Sequence, residues 1–350
     1  MTVVYLIRHA EAEGNLYRRA HGHYDSVITD RGYRQIAALA KRMENVHFDA
    51  AYSSDLTRTQ TTALAVTRTH GLPLRISPKL REVGVGEWED RTWTWLAKFD
   101  RERLLAFNTE LTRWSVPGGE RIEDVRDRML RALREIVAAH PNETVAVFSH
   151  GMALRTLVGT LQGLSLAEID KTGHAENTAV TRLEAEGGDI RVIFRDDASH
   201  LPEELTTVAR QAWTKTKGGI EDGVWFAPDK HVKGRFDVLR DDERVGAVRV
   251  GRIAENVAAL TELRLDEALR GQNLGIRLVG QAVSCARSLG CDTLRGTIPR
   301  ANAPGLRRAA EYGFSVTGET AEGVTVERYF GYDEARRLAA FDAALAESDP

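Results

Sequence analysis

The sequence predicts two domains, an N-terminal α/β domain over residues 1–203 and a C-terminal α+β domain over 204–350. The 350 residues are enough for about two domains that each bury a core. Apolar strand-like runs alternate with helix-like segments as far as about residue 203, which indicates a mostly parallel sheet covered by helices. The pattern then changes to strand-like runs joined by short polar turns, with a predicted linker at about 204–220.

The elements of the first domain follow from apolar periodicity and from cap and turn residues. Strands are predicted in TVVYLIRH, FDAAYSS and ETVAVFSH, an extended run in LPLRISPKL, and a hairpin in AVTRLEAEGGDIRVIFRD. Helices are predicted in TDRGYRQIAALAKRME (capped by Thr29 or Asp30), in DLTRTQTTALAVTRTHG, over 90–116, in ERIEDVRDRMLRALREIVAAH and in GMALRTLVGTLQG.

The second domain has a different order of elements. A linking helix is predicted in LPEELTTVARQAWTKTKGG, followed by three antiparallel strands in RFDVLRDDERVGAVRVGRIAENVAALTELRLD. A helix, a strand in DTLRGTIP and another helix come next. The alanine-rich tail from about residue 333 is also predicted to be helical.

Composition and charge exclude several classes of partner. The net charge of −3 does not suit a nucleic-acid-binding surface, so no nucleic-acid partner is expected. No apolar stretch approaches the roughly 20 residues of a membrane-spanning helix, so no membrane partner is expected either. The two cysteines, Cys285 and Cys291, are interpreted as buried apolar residues in a reducing compartment. These features predict a cytoplasmic protein.

Charged side chains follow the ends of three predicted strands. The first strand ends at Arg8 and His9, and ETVAVFSH ends at His150. FDAAYSS leads into a helix whose first turn holds Arg58. Ligands of open α/β sheets bind beyond the carboxyl ends of the strands, where helix N-termini also attract anions. We therefore expect two histidines and two arginines to meet at one edge of the sheet.

This set of side chains favours phosphoryl chemistry. Two arginines would repel a divalent cation, so we expect an anion and no metal. A neutral imidazole can attack phosphorus and form phosphohistidine, while arginines bind the phosphoryl oxygens. A leaving alkoxide needs a proton donor. Glu82 in LREVGVGEWED is the candidate, with Glu87 and Glu89 as alternatives.

Seven ordered motifs carry a resemblance to a known family. They are RHAEAEGN, GHYDSVITDRG, SDLTRTQTTA, LREVGVGEWE, VPGGE, FSHGMALR and SHL. From Thr2 to about Leu201 the chain resembles the histidine phosphatase superfamily, which includes the cofactor-dependent phosphoglycerate mutases. The resemblance implies a three-layer α/β/α domain that acts through phosphohistidine. Its motifs assign catalytic roles to His9, Glu82 and His150 and phosphate binding to Arg8, Asn15, Arg58 and, again, His150.

The resemblance also bears on the reaction and the pocket. LREVGVGEWE and VPGGE resemble the phosphatase branch more than the mutase branch, so we expect a cofactor-independent phosphatase for a small phosphate ester, with a mutase as the alternative. His21 and His23 could suggest a metal pair, but no third ligand is evident, and we interpret them as a pocket loop. The tryptophans of 90–116 are expected in a lid or in the core.

Residues of roughly 232–330 resemble the GNAT-type N-acetyltransferases. The resemblance rests on VGAVRV, ALTELRLDEALRGQNLGIRLVGQAV and ANAPGLRRAAEYGF. It implies that acetyl-CoA binds between splayed strands and at a loop of backbone N–H groups before a helix. The residues it assigns to acetyl-CoA are Leu263, Leu265, Arg270, Gly271, Asn273, Gly275 and Asn302.

Two departures from the GNAT pattern leave transfer open. Asn273 stands where the loop usually has glycine, although asparagine tolerates left-handed backbone geometry. Ala309 stands where many members have a tyrosine general acid, and Tyr312 is predicted on another helix face. Glu262 is the candidate base. The interpretations are an active acetyltransferase fused to the phosphatase, or a GNAT domain used for ligand sensing or packing.

Overall fold

The computed structural model describes residues 1–211 and 223–348, and it has two sheets. The strands of the first sheet are β1 (Thr2–Arg8), β2 (Ala50–Ser53), β3 (Leu74–Ile76), β4 (Thr144–Ser149), β5 (Val180–Glu186) and β6 (Asp189–Asp197). They lie in the order β3-β2-β4-β1-β5-β6, with the first four parallel and β5 and β6 antiparallel. This mostly parallel sheet confirms the predicted α/β class.

Helices cover both faces of the first sheet. They are α1 (Glu13–Tyr17), α2 (Asp30–Met43), α3 (Thr57–Thr62), α4 (Leu64–His70), α5 (Trp93–Phe99), α6 (Arg101–Thr109), α7 (Ile122–Ala139), α8 (Gly151–Leu161) and α9 (Leu166–Ile169). Alternate residues of β4 belong to different cores, because side chains of a strand alternate between its faces. Val145 and Val147 lie in the cluster with α7 and α8, whereas Ala146 and Phe148 lie in the cluster with α2 and α4.

The second sheet lies in the C-terminal part of the chain. Its strands are β7 (Trp225–Pro228), β8 (Arg235–Arg240), β9 (Glu243–Arg252), β10 (Val257–Leu265), β11 (Thr293–Ile298), β12 (Ser315–Glu319) and β13 (Val324–Tyr329), and its order is β12-β13-β11-β10-β9-β8-β7. The accompanying helices are α10 (Gly275–Ser288), α11 (Ala303–Glu311) and α12 (Glu334–Ser348). The predicted three-strand meander is β8, β9 and β10, while β7, β12 and β13 were not predicted.

Two predicted helices of the first domain are interrupted. The helix in DLTRTQTTALAVTRTHG is divided at Ala63 into α3 and α4. The hydroxyls of Thr61 and Thr62 donate to the carbonyls four residues earlier, at 2.9 and 2.7 Å, a contact that bends helices. The helical region predicted over 90–116 consists of α5 and α6, and α6 ends at Thr109.

The predicted linking helix is wrong for the part that the structure describes. Only a single 3₁₀ turn, Glu203–Leu205, is helical there, and residues 212–222 lie outside the described residues. The Glu176 carboxylate accepts hydrogen bonds from the backbone N–H groups of 207, 208 and 209, at 2.6–2.9 Å. These amides therefore point at a side chain instead of at carbonyls one turn earlier.

The C-terminal helix α12 confirms the predicted helical tail, and it packs against α2 of the first domain. Phe341 is fully buried in the core that also holds Ile36 and Leu39. Cys285 and Cys291 are buried and not joined in a disulfide. Within the described residues, no helix is long and apolar enough to cross a membrane.

Candidate active site

His9 stands at the carboxyl end of β1, in the interior of the first sheet. Only 6% of its surface is exposed. Its Nδ1 lies 2.7 Å from the carbonyl oxygen of Ala10. Because a carbonyl can only accept, Nδ1 carries the proton and Nε2 carries the lone pair. Burial and the charges of Arg58 and Arg8 hold the pKa of His9 well below its usual value, so the ring is neutral at neutral pH.

His150 follows β4, beside His9, and their ring centroids are 5.3 Å apart. Its Nδ1 accepts a hydrogen bond from Nε of Arg58 at 3.3 Å. The proton of a neutral ring is therefore on Nε2, which has no hydrogen-bond partner among the described residues. Burial, Arg58 and His9 hold the pKa of His150 well below its usual value.

Arg58 is 2% exposed in the first turn of α3 and is tied to the loop that carries GHYD. Its guanidinium donates to the carbonyl oxygens of Gly22 at 2.7 Å and Tyr24 at 2.9 Å. These bonds fix the cation and the loop together.

Arg8 lies against the start of α8. Its guanidinium donates to the carbonyl oxygen of Ala175. A Cβ at Gly151 would lie 3.2 Å from Nε of Arg8, so the glycine of FSHG allows the guanidinium to approach the helix closely.

Of the three candidate acids, Glu82 is the one that lines the cavity. Its carboxylate accepts the N–H groups of Met152 at 3.0 Å and Ala153 at 2.9 Å. The amides at the start of α8, expected to be free for an anion, are thus occupied by the side chain of Glu82. Glu87 is exposed, and Glu89 accepts N–H groups of the GHYD loop.

A cavity of about 170 Å³ brings together five of the six predicted residues, Arg8, His9, Asn15, Arg58 and Glu82. The sixth, His150, is fully buried and lies beside His9, outside the lining of the cavity. The Oδ1 of Asn15 accepts the N–H of Ala12 at 3.1 Å, so its Nδ2 is the donor suited to a phosphoryl oxygen.

The other walls were mostly not predicted. The tryptophan segment supplies Trp93, Leu104, Phe107 and Asn108, whereas Trp114 is core. Arg18, His174 and Gln211 also line the cavity, although none belongs to a motif that predicted a site.

The two histidines of HGHYD, His21 and His23, have different partners. His21 lines the cavity and its Nε2 lies 3.1 Å from Oδ1 of Asp90. His23 Nε2 donates to the carbonyl oxygen of Glu82 at 2.9 Å. Across residues 1–211 and 223–348, no group of three or more His, Cys, Asp or Glu side chains could hold a metal ion.

The second sheet has the predicted opening between two strands. β10 pairs with β11 only from Val257 to Leu260, and a bulge follows between Leu260 and Glu262. Leu263, on the unpaired half of β10, is 44% exposed, and Leu265 is half-buried. This half of β10 is where the GNAT pattern places the acetyl group.

The loop before α10 has the backbone geometry of the predicted coenzyme site. Gly271 and Asn273 have φ of 81° and 58°, so asparagine does adopt the left-handed conformation. The exposed Arg270 precedes them, and α10 begins at Gly275. The loop therefore has the left-handed backbone geometry that was expected at Asn273, directly before the start of α10.

The side chains that acetyl transfer would need are less complete than the binding loop. Ala309 is buried and has no proton to donate. A Cβ at Gly275 would lie 3.2 Å from the hydroxyl of Tyr312, so that hydroxyl is beside the start of α10. The carboxylate of Glu262 pairs with Arg235 at 3.0 Å.

Asn302 has a structural contact at the start of α11. Its Oδ1 accepts the N–H of Gly305 at 3.0 Å and so caps the helix.

The family model of the histidine phosphatase superfamily (branch 1) matches residues 4–197, and that of the acetyltransferase (GNAT) family matches residues 197–314. The chain belongs to the histidine phosphatase superfamily and is an enzyme of that class, and its C-terminal part contains a GNAT domain.

Individual relatives cover just over half of the chain. The probable phosphoglycerate mutase GpmB of Cronobacter sakazakii is 34% identical over 186 residues, which are 53% of this chain and 85% of the relative. YhfR of Bacillus stearothermophilus is 33% identical, covers 57% of this chain and 99% of its own, and has a TM-score of 0.56. The mycobacterial glucosyl-3-phosphoglycerate phosphatase with VO3 is 26% identical, covers 56% and 99%, and has a TM-score of 0.53.

Proposed function

We propose that the chain is a phosphomonoesterase that acts on a small phosphorylated metabolite through phosphohistidine at His9. The observation that carries the proposal is a neutral His9 with its lone pair on Nε2, in a cavity that is also lined by Arg8, Arg58 and the carboxyl group of Glu82. Neutral imidazole is the nucleophilic form, and the arginines supply the charge that a phosphoryl group requires.

The first step transfers the phosphoryl group to His9. The ester phosphate binds to Arg8, Arg58 and the amide of Asn15, and the Nε2–H of His150 donates to it after a small inward movement. Nε2 of His9 then attacks phosphorus, and the ester P–O bond breaks. The leaving alkoxide takes the proton of the Glu82 carboxyl group and departs as an alcohol.

The second step releases phosphate. Glu82, now a carboxylate, accepts a proton from water, and the water oxygen attacks phosphorus. The N–P bond breaks, the electron pair returns to Nε2 of His9, and inorganic phosphate leaves. Glu82 is protonated again, so the cycle needs no group beyond substrate and water.

The cavity supports a small ester. Its volume of about 170 Å³ is that of a compact site, and aromatic and aliphatic side chains of α5 and α6 form one wall. In this wall Trp93 and Phe107 stack with their ring centroids 5.8 Å apart, and the wall excludes bulky substrates.

A phosphoglycerate mutase is the second candidate, because curated relatives at 32–34% identity are named probable phosphoglycerate mutases. A mutase returns the phosphoryl group of His9 to a second hydroxyl, whereas a phosphatase admits water. The products of a single substrate therefore separate the two.

We further propose that the GNAT domain binds acetyl-CoA at the loop 270–275. The left-handed geometry of Gly271 and Asn273 and the open edge of β10 support binding. With Ala309 in place of a proton donor, transfer is slow or uses another acid. A domain that senses acetyl-CoA or serves packing is the competing interpretation. We expect a cytoplasmic enzyme, from its cysteine content.

The experiment is a phosphate-release screen with the full chain over sugar phosphates, nucleotides and phosphorylated amino compounds, with EDTA and with or without acetyl-CoA. Each reaction is assayed for phosphate, for isomerised ester and for free coenzyme A thiol. Phosphate release in EDTA supports the proposal. Isomerised ester without phosphate identifies a mutase, and release of neither from any substrate overturns the proposal.

A further inference from the structure

Helix α1, which carries Asn15 of the phosphate pocket, packs directly on α10 of the GNAT domain. Tyr17 of α1 is 2% exposed and belongs to the core of the second domain with Val279 and Val283. A Cβ at Gly280 would lie 2.6 Å from the Tyr17 side chain. Only glycine permits this approach, so the two helices meet at close range.

A buried ion pair joins the same two helices. Glu13, in the first turn of α1, is fully buried. Its carboxylate lies 2.7 Å from Nη1 of Arg287 on α10 and 3.6 Å from Nη2 of Arg328 on β13. Both cations belong to the GNAT domain. A buried carboxylate is strongly destabilising when its partner is removed, so the position of α1 depends on the second domain.

The chain after α1 is held by the same face of α10. Arg19 donates to Oε1 of Gln281 at 3.2 Å and to the hydroxyl of Ser284 at 3.1 Å. That hydroxyl donates to Asp90 at 2.5 Å, and the Asp90 carboxylate also contacts His21 of the cavity wall. Side chains of α10 therefore contact the segment of residues 13–21 near both of its ends, at Glu13 and at Arg19, and this segment forms one wall of the cavity.

We propose that Arg287 is a positioning residue for the phosphatase: through Glu13 it fixes α1, and with it the amide of Asn15, in the phosphate pocket. The GNAT domain is then a required part of the phosphate site, whether or not it transfers acetyl groups. The inference rests on the proposed function for the role of Asn15, although the dependence of α1 on Arg287 does not.

The structure indicates which kinetic constant changes when Arg287 is lost. Glu13 precedes Asn15 by two residues in one short helix, so a displaced Glu13 moves Asn15. The carbonyl of Gly22, which binds Arg58, follows in the same segment. His9 is held separately, by β1 and the Ala10 carbonyl. Loss of Arg287 therefore weakens phosphate binding more than it slows phosphoryl transfer.

The test compares full-length Arg287→Met with the double variant Glu13→Gln/Arg287→Met and with Arg287→Lys. Arg308→Met is the matched control, because it removes an exposed arginine–glutamate pair of the same domain. We measure kcat and KM for p-nitrophenyl phosphate, the affinity for inorganic phosphate by calorimetry, and hydrogen exchange of residues 13–19.

We expect Arg287→Met to raise KM and weaken phosphate binding by about tenfold or more, with a smaller change in kcat and faster exchange in α1. The double variant, which removes the Glu13 carboxylate together with Arg287, and Arg287→Lys should lose less affinity than Arg287→Met but still bind phosphate more weakly than wild type. Unchanged phosphate affinity and unchanged α1 exchange in Arg287→Met overturn the inference. If that variant does not fold, failure of the double variant and Arg287→Lys to differ from wild type in either readout also overturns it. If the wild-type chain releases no phosphate, the proposed function fails, while the exchange data still decide the dependence of α1 on Arg287.

Discussion

The proposed phosphate site and the proposed coenzyme loop differ in the part of the chain that would contact the ligand. In the proposed phosphate site these groups are side chains, and His9, Arg58 and Glu82 are each held by specific hydrogen bonds. In the proposed coenzyme loop the ligand would meet the backbone, which has left-handed φ angles at Gly271 and Asn273. A site made of backbone tolerates a change of residue that keeps φ, whereas a site made of side chains does not.

This difference explains why the two sites are complete to different degrees. Asparagine replaces glycine at 273 and the loop geometry survives. Alanine at 309 removes a proton donor, and no change of backbone replaces it. A fold and its loop geometry can therefore be kept where one side chain that the reaction commonly uses is absent. Four predictions test the comparison.

The largest effect is expected for His9→Ala, which removes the nucleophile. Phosphate release should fall by about 10⁴-fold or more, because no other group in the cavity has its lone pair at that position. His47→Ala is the control, since that side chain is 84% exposed. Steady-state assays of phosphate release measure both, and substantial activity in His9→Ala would mean that another nucleophile acts.

Glu82→Gln should slow esters with poor leaving groups by about 10²–10⁴-fold, and aryl phosphates much less. An alkoxide needs the proton, whereas a nitrophenolate leaves without it. The exposed Glu87→Gln is the matched control. Rates are compared across a series of esters with leaving groups of increasing pKa; equal slowing of all of them would show that Glu82 only positions groups.

On the other side of the comparison, Gly275→Trp should weaken acetyl-CoA binding by at least about tenfold. The new side chain would begin 3.2 Å from the Tyr312 hydroxyl and fill the start of α10, where the pyrophosphate is expected. Gly318→Trp is the control, because no atom lies within 4 Å of a Cβ there. Calorimetry on the full chain measures binding. Absence of wild-type binding at millimolar acetyl-CoA would leave the domain a structural role.

Acid should destabilise the phosphatase part first. His231 is the only one of the ten histidines after residue 203. Burial and Arg42 lower the pKa of His200, which lies in the first domain, to about 4. Below pH 6.5 the unfolded chain then binds more protons than the native one, so stability falls as pH falls.

For His200 the free energy of unfolding should drop by up to about 2 kcal/mol between pH 6.5 and 5. Denaturant titrations at pH 7, 6 and 5 measure the drop. His200→Gln should make it smaller, while His47→Gln, at an exposed position, should not. If the free energy of unfolding depends on pH in His200→Gln as it does in wild type, the lowered pKa of His200 does not cause the acid sensitivity.

The position of the proposed catalytic groups was predictable because they lie at strand ends. Arg8, His9 and His150 come directly after apolar runs, and the carboxyl ends of parallel strands meet at one edge of the sheet. The left-handed conformation at Asn273 was predictable as well, since it depends on one residue and its neighbours.

Long-range contacts were not predictable. Glu13 resembles a solvated charge in sequence, yet partners about 270 and 310 residues away bury and neutralise it. His174 and Gln211 reach the cavity from segments without a motif. The linking helix is absent from its described part, up to residue 211, because Glu176 accepts the N–H groups of residues 207–209 from a distant position in the sequence. Local periodicity carries no information on such contacts.

The central claim is that His9 carries the phosphoryl group, and rapid quenching tests it most directly. The full chain is mixed with a ³²P-labelled substrate found in the screen, quenched in alkali within milliseconds, digested and analysed by mass spectrometry. We expect an acid-labile, alkali-stable phosphate on the peptide that contains His9, and none in His9→Ala. Phosphate on another residue, or turnover at the normal rate with no labelled peptide at any quench time, would contradict the account.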